Sequence, residues 1–112
     1  MAVTRTFNTG NTVITLGSLD ADYNYSTDFA AFSKGIRVHS IQFVPTDEAD
    51  ICQLKDGSAT GPVIFHNASL CNFETKYYGG ARLKPYYDIS DTNKCNASAT
   101  AKIIIILGGY LD

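Results

Sequence analysis

The sequence predicts an all-β fold: an antiparallel β-sandwich, jelly-roll-like or a small barrel, with one short helix. Three observations lead there. β-branched or alternating runs recur along the chain, turn residues (Gly, Pro, Asn, Asp) separate them, and only one stretch has helical spacing. At 112 residues, 45% hydrophobic and 18% charged, the chain reads as a single β-sandwich domain over 1–112. A chain of this size buries about two-thirds of its unfolded surface, enough for a core without staples.

The elements follow in order. "VTRTFNTG" turns Val3, Arg5 and Phe7 to one side of a strand, although residues 1–11 read equally as an extended N-terminal arm. "TVITLG" is a strand from Thr12 to Leu16, stopped by Gly17. "STDFAAFSKG" is the helix: Thr27 caps it, Asp28 suits the positive end of its dipole, Phe29 and Phe32 share a face, and Gly35 ends it. "GIRVHSIQFV" is a strand whose alternation breaks, with Ile36 and Val38 on one parity and Ile41 and Phe43 on the other. An extra residue near His39–Ser40, a β-bulge, returns all four to one face. Pro45 ends the strand.

"ADICQLKDGSATGPVIFH" gives two strands joined by a Gly-rich loop. "FETKYYGG" and "ARLKPYYDI" give two more around Gly79-Gly80, with Pro85 marking an edge position. "SDTNKCNASA" is a loop, and "TAKIIIIL" is the last strand, stopped by Gly108-Gly109.

That last strand raises the main functional question, because Ile103 to Leu107 is apolar on both faces. Fully burying an Ile is worth about 1.5–3 kcal/mol, so leaving two exposed forgoes a large part of a small domain's stability. Ala101, Ile103, Ile105 and Leu107 form the longer apolar line and are expected in the core. Ile104 and Ile106 share their face with Thr100 and Lys102 and are expected at a subunit contact, the polar end forming its rim.

The chemistry-bearing residues say less. A net charge of −2 without a basic cluster argues against nucleic acid as partner. The C-terminal run is far shorter than the ~18 residues of a membrane span, and no secretory h-region opens the chain. His39 and His66 lie in separate strands without a nucleophile motif, so no catalytic residue is assigned. No phosphate-cradling or dinucleotide motif is present, so no cofactor is expected.

Cys52, Cys71, Cys95 and His66 lack the close ligand pairs of a zinc site. Asp20, Asp22 and Asn24 begin a calcium-loop pattern that fails at its glycine (Tyr25) and its glutamate (Ala31), so no metal is expected either. The odd cysteine count fits free thiols. The three sequons, at Asn24, Asn67 and Asn96, read as turns. Tyrosine is the one group in surplus. Tyr77, Tyr78, Tyr86 and Tyr87 fall in adjoining strands, with Tyr110 beyond the isoleucines, and such rings suit an interface or a sugar-binding face.

Taken with "MAVTRTFNTGNT", "KDGSATGPVIF", "GGARLKPYYDI" and "AKIIIIL", this small Thr/Asn/Gly-rich β protein resembles the accessory virion proteins of tailed bacteriophages. These include head decoration (cement) proteins and small tail proteins. The resemblance implies a non-enzymatic structural protein made in the host cytoplasm and built into the virion. It would bind the major capsid protein at subunit junctions as a symmetric homo-oligomer and reinforce the shell. On the residues alone, a carbohydrate- or receptor-binding sandwich using the tyrosines is the alternative, and a small enzyme the third.

Overall fold

The strands pair as one long hairpin that has been rolled up. A computed structural model describes residues 3–7, 13–47, 49–68, 74–91, 94–98 and 100–107. Their strands are β1 (Thr4–Phe7), β2 (Val13–Gly17), β3 (Tyr23–Asn24), β4 (Ile36–Val44), β5 (Ile51–Asp56), β6 (Val63–Ala68), β7 (Glu74–Leu83), β8 (Pro85–Tyr87) and β9 (Lys102–Leu107). One helix, α1 (Ser26–Phe29), lies between β3 and β4.

The antiparallel pairs nest: β5 with β6, β4 with β7, β3 with β8, and β2 with β9. Two lateral pairings, β4 with β9 and β5 with β8, roll this hairpin into two sheets. The five-stranded sheet runs β1-β2-β9-β4-β7 and the four-stranded sheet β3-β8-β5-β6. This is the strand order of a jelly roll, with β1 added at one edge. The chain is thus an all-β sandwich, and residues 4–7 of the N-terminal stretch form a strand.

Alternation explains the core. β2 turns in Ile14 and Leu16, β9 turns in Ile103, Ile105 and Leu107, and β4 turns in Ile36, Val38, Ile41 and Phe43, all at most 4% exposed. The register of β4 shifts between Val38 and Ser40, so His39 is the extra residue and the four apolar side chains keep one face. From the other sheet come Cys52, Leu54, Phe65 and Tyr87.

The structure departs from three expectations. The helix is one turn of four residues, and its N-cap is Tyr25, not Thr27. No side chain caps it; just before it, Asn24 Oδ1 accepts the Ser26 N–H at 3.0 Å in a local turn. Phe29 and Phe32 still meet edge to face at 6.2 Å, with Phe32 beyond the helix. Gly35 closes the segment at φ 97°, where an added Cβ would lie 2.6 Å from the Leu83 carbonyl oxygen.

Second, Gly79 and Gly80 do not separate two strands. At φ 62° and 86° they form a bulge inside β7, opposite the β4 bulge, so the longest strand bends without breaking. Third, Pro85 opens β8, which lies between β3 and β5 and is no edge strand. The first position of a short strand tolerates its missing N–H.

Side chains close the two open sides of the sandwich. Tyr78 donates its hydroxyl hydrogen bond to the Ile64 carbonyl of β6, and Lys76 Nζ reaches the same oxygen at 3.5 Å. On the opposite side Asp28 Oδ1 accepts Arg5 Nε at 3.0 Å and Oδ2 accepts the Tyr23 hydroxyl at 3.0 Å. Burial, together with the charge and hydrogen bond of Asp28, pushes the Tyr23 pKa well up.

At the end of β4, Asp50 is 4% exposed. Its Oδ2 accepts the N–H groups of Thr46 (2.8 Å) and Asp47 (3.0 Å), and its Oδ1 accepts the Ser98 N–H (2.8 Å) and hydroxyl (2.7 Å). One carboxylate thereby ties the β4–β5 turn to the segment that leads into β9. Burial alone would raise its pKa, but the donors on Thr46, Ser98 and Asp47 outweigh this and hold it below the usual carboxylate range. A depressed folded-state pKa stabilises the protein above the unfolded value of about 4, and that stability fades as pH falls through the folded value. Asp50→Ala is therefore expected to cost about 2–3 kcal/mol at neutral pH, since it strands several donors. In urea melts the gap between wild type and variant should narrow steadily below about pH 4. A gap that stays constant down to pH 2 would show that the charge does not matter.

Candidate interaction face

Turning Ile103, Ile105 and Leu107 inward obliges β9 to turn Lys102, Ile104 and Ile106 outward. The neighbours in register complete two rows across the outer face of the five-stranded sheet. One row is Val13, Ile106, Ser40 and Tyr77. The other is Thr6, Thr15, Ile104, Gln42 and Thr75. No residue in either row is charged. Lys102 lies at one end of the face, and the cross-strand pair Arg37–Arg82 at the other.

The β4 bulge gives this face its relief. The displaced His39 is exposed and meets the Tyr77 ring edge to face at 5.8 Å. Tyr77 is 71% exposed and Ile106 38%, whereas Ser40 between them is 2% exposed, shielded by its neighbours. An apolar isoleucine pair thus lies beside an exposed aromatic pair. Sequence reading found Ile104, Ile106 and Tyr77 but missed His39, Val13, Thr15, Gln42 and Thr75. The available signal was parity: once Ile14 and Leu16 are core, Val13 and Thr15 must face out.

The five tyrosines do not form one surface. Tyr77 is on the outer face of the five-stranded sheet. Tyr78 is half-buried at the β6–β7 side, where burial pushes its pKa up to about 12. Tyr86 projects from the four-stranded sheet, its hydroxyl 3.4 Å from Asp22 Oδ2. Tyr87 is fully buried in the core and donates to the Leu19 carbonyl at 3.1 Å, so it is a core residue and offers nothing to an interface. Alternation sends Tyr86 and Tyr87 to opposite sides of β8. Tyr110 lies outside the described residues.

The remaining candidates have local partners. Asp22 Oδ1 accepts the Ile89 N–H at 2.8 Å, and Asn24 Oδ1 is taken by Ser26, so both fix turns. Among the described residues no group of three or more His, Cys, Asp or Glu converges as metal ligands would. His66 is exposed on the four-stranded sheet, opposite Gln53, whereas His39 belongs to the five-stranded sheet. Asn67, the asparagine of a sequon, is 2% exposed in β6, so it is shut off from solvent, and its Nδ2 is buried without a hydrogen-bond partner.

Cys52 and Cys95 are free and buried, and Cys95 Sγ lies 3.4 Å from the Gln53 carbonyl oxygen. Burial raises both thiol pKa values, so thiolate is scarce and inaccessible. Cys71 lies outside the described residues. In denaturant, all three cysteines should alkylate; in the native protein, Cys52 and Cys95 should react far more slowly, as followed by intact and peptide mass. Fast native labelling of Cys52 would contradict its burial.

The chain matches no family model, no curated protein and no solved structure.

Proposed function

We propose that the chain is a non-enzymatic structural protein of a tailed-phage virion, a capsid decoration protein that lays the outer face of its five-stranded sheet on the major capsid protein. The observation behind this reading is the face itself. It presents Ile104, Ile106, Val13 and Tyr77 among threonines and a glutamine, with no charge in either row. Such a surface binds by area and complementarity, with an aromatic anchor off centre and a polar rim. Jelly rolls serve viral capsids and lectins alike, which is support by analogy only. The sequence-level resemblance to accessory virion proteins favours the capsid. The lectin reading loses its motive because the tyrosines are divided among two faces, an edge and the core.

The test is co-sedimentation with shells assembled from the major capsid protein of the genome that encodes the chain. Wild type should bind at a fixed ratio. Ile106→Asp and Tyr77→Asp should stay folded by circular dichroism yet lose at least tenfold in affinity, about 1.4 kcal/mol or more. Ile105→Asp should fail to fold, because it buries an unpaired charge in the core. A folded wild type that ignores the shells, or an Ile106→Asp variant that binds them normally, would overturn the proposal.

A further inference from the structure

Between β8 and β9 the chain returns to β5. Ile51 and Asn96 form an antiparallel bridge and exchange both backbone hydrogen bonds, at 2.9 and 3.0 Å. In an antiparallel pair each hydrogen-bonded position is followed by an open one, where facing Cα atoms come closest, about 4.5 Å apart. One step forward along β5 and one step back along the returning segment, that open position sets Cys52 opposite Cys95. Facing residues share one side of a sheet, and both cysteines belong to the core, at 0% and 2% exposure. Both thiols are free.

Two further observations bring the sulfurs together. Cys95 Sγ lies 3.4 Å from the carbonyl oxygen of Gln53, the residue after Cys52, so it already rests on the β5 backbone. Burial raises the Cys52 pKa, and the charge of a Cys95 thiolate raises it further; Tyr87 is pushed up by burial and then by both cysteines. Charges act on one another in this way only at short range. A disulfide usually joins Cα atoms about 4.4–6.8 Å apart, so the open position suits one. Closure asks for a new rotamer of Cys95, not for a displaced strand.

We infer that Cys52 and Cys95 are a dithiol pair that a small-molecule disulfide oxidises to a cross-strand bond, locking the segment before β9 onto β5. The Cys95 thiolate attacks one sulfur of the oxidant, RSSR, and displaces a thiolate that takes up a proton. The Cys52 thiolate then attacks the Cys95 sulfur and displaces the second RS−, which is protonated in turn. One S–S bond forms and one breaks, both cysteine protons end on RSH, and two electrons pass from the cysteines to the oxidant. Because the pair is buried, the first attack waits until residues 94–98 open. The exchange with Ile51 and the hydrogen bonds between Asp50 and Ser98 hold that segment, which contains a single bridge and no longer strand. It can therefore open while β5 stays paired with β6. Reclosing buries the new bond, and a reductant reaches it only through the same opening. The inference does not rest on the capsid reading.

Incubating the reduced chain with oxidised glutathione in native buffer tests it. Cys71→Ser, checked for fold by circular dichroism, should lose about 2 Da and keep no thiol that alkylates in denaturant. In wild type, peptide mapping should join Cys52 to Cys95. The oxidised Cys71→Ser chain should melt at least about 5 °C above its reduced form, and dithiothreitol should reduce it at least about tenfold more slowly in native buffer than in urea. Cys71→Ser/Cys95→Ser should show no loss of 2 Da. Thiols of Cys52 and Cys95 that remain unpaired after prolonged native oxidation would overturn the inference. So would a wild-type bond made through Cys71, or an oxidised form that melts no higher than the reduced one.

Discussion

The fold depends on β9 entering between β2 and β4. It is the last of the described strands and the central strand of the larger sheet, hydrogen-bonded on both sides. Ile103 sits in register with Leu16 and Phe43, and Ile105 with Ile14 and Ile41, so two apolar ladders cross three strands. A slip of one residue would turn both ladders out to solvent, so the ladders themselves fix the register. Pairing β2 with β9 joins nearly the two ends of the chain. Loop closure must be met before that contact stabilises anything, which makes it a late and slow step.

The second constraint is the matched pair of bulges. β4 inserts His39, and opposite it β7 accommodates Gly79 and Gly80 at positive φ. An insertion in β4 alone would push half of its apolar residues to the wrong face of one neighbour. With both strands bulged, Ile36 and Val38 stay in line with Ile41 and Phe43. The displaced imidazole has nowhere to go but outward, where it meets Tyr77. A correction made for the core thereby creates the most exposed feature of the sheet face.

Much of this was legible in the sequence because it is written in parity. The β9 core set, the bulge near His39 and the β5–β6 hairpin each follow from period-two patterning and turn residues within a few positions. The misreadings of the Gly-Gly pair and of the tyrosines depend on partners distant in sequence. Nothing local distinguishes a Gly-Gly turn from a Gly-Gly bulge; the opposed β4 bulge decides it. The helix pattern from Thr27 to Lys34 is overridden after one turn, where the Phe32 carbonyl accepts the Tyr25 hydroxyl and the Gly35 N–H, each at 2.9 Å. The tyrosines looked like one cluster because they are close in sequence, yet β7 and β8 belong to different sheets. Proximity along the chain becomes proximity in space only within a strand pair.

The jelly-roll connectivity also decides which connections share an end of the sandwich. Nested hairpins deliver the β2–β3, β4–β5 and β8–β9 connections to one end, and the β3–β4 connection and the β7–β8 junction to the other. The connections therefore compose the two ends, while the sheet faces answer to alternation alone. An uncharged face such as that around Ile104 and Ile106 would bind through apolar burial, an interaction that changes little with moderate salt.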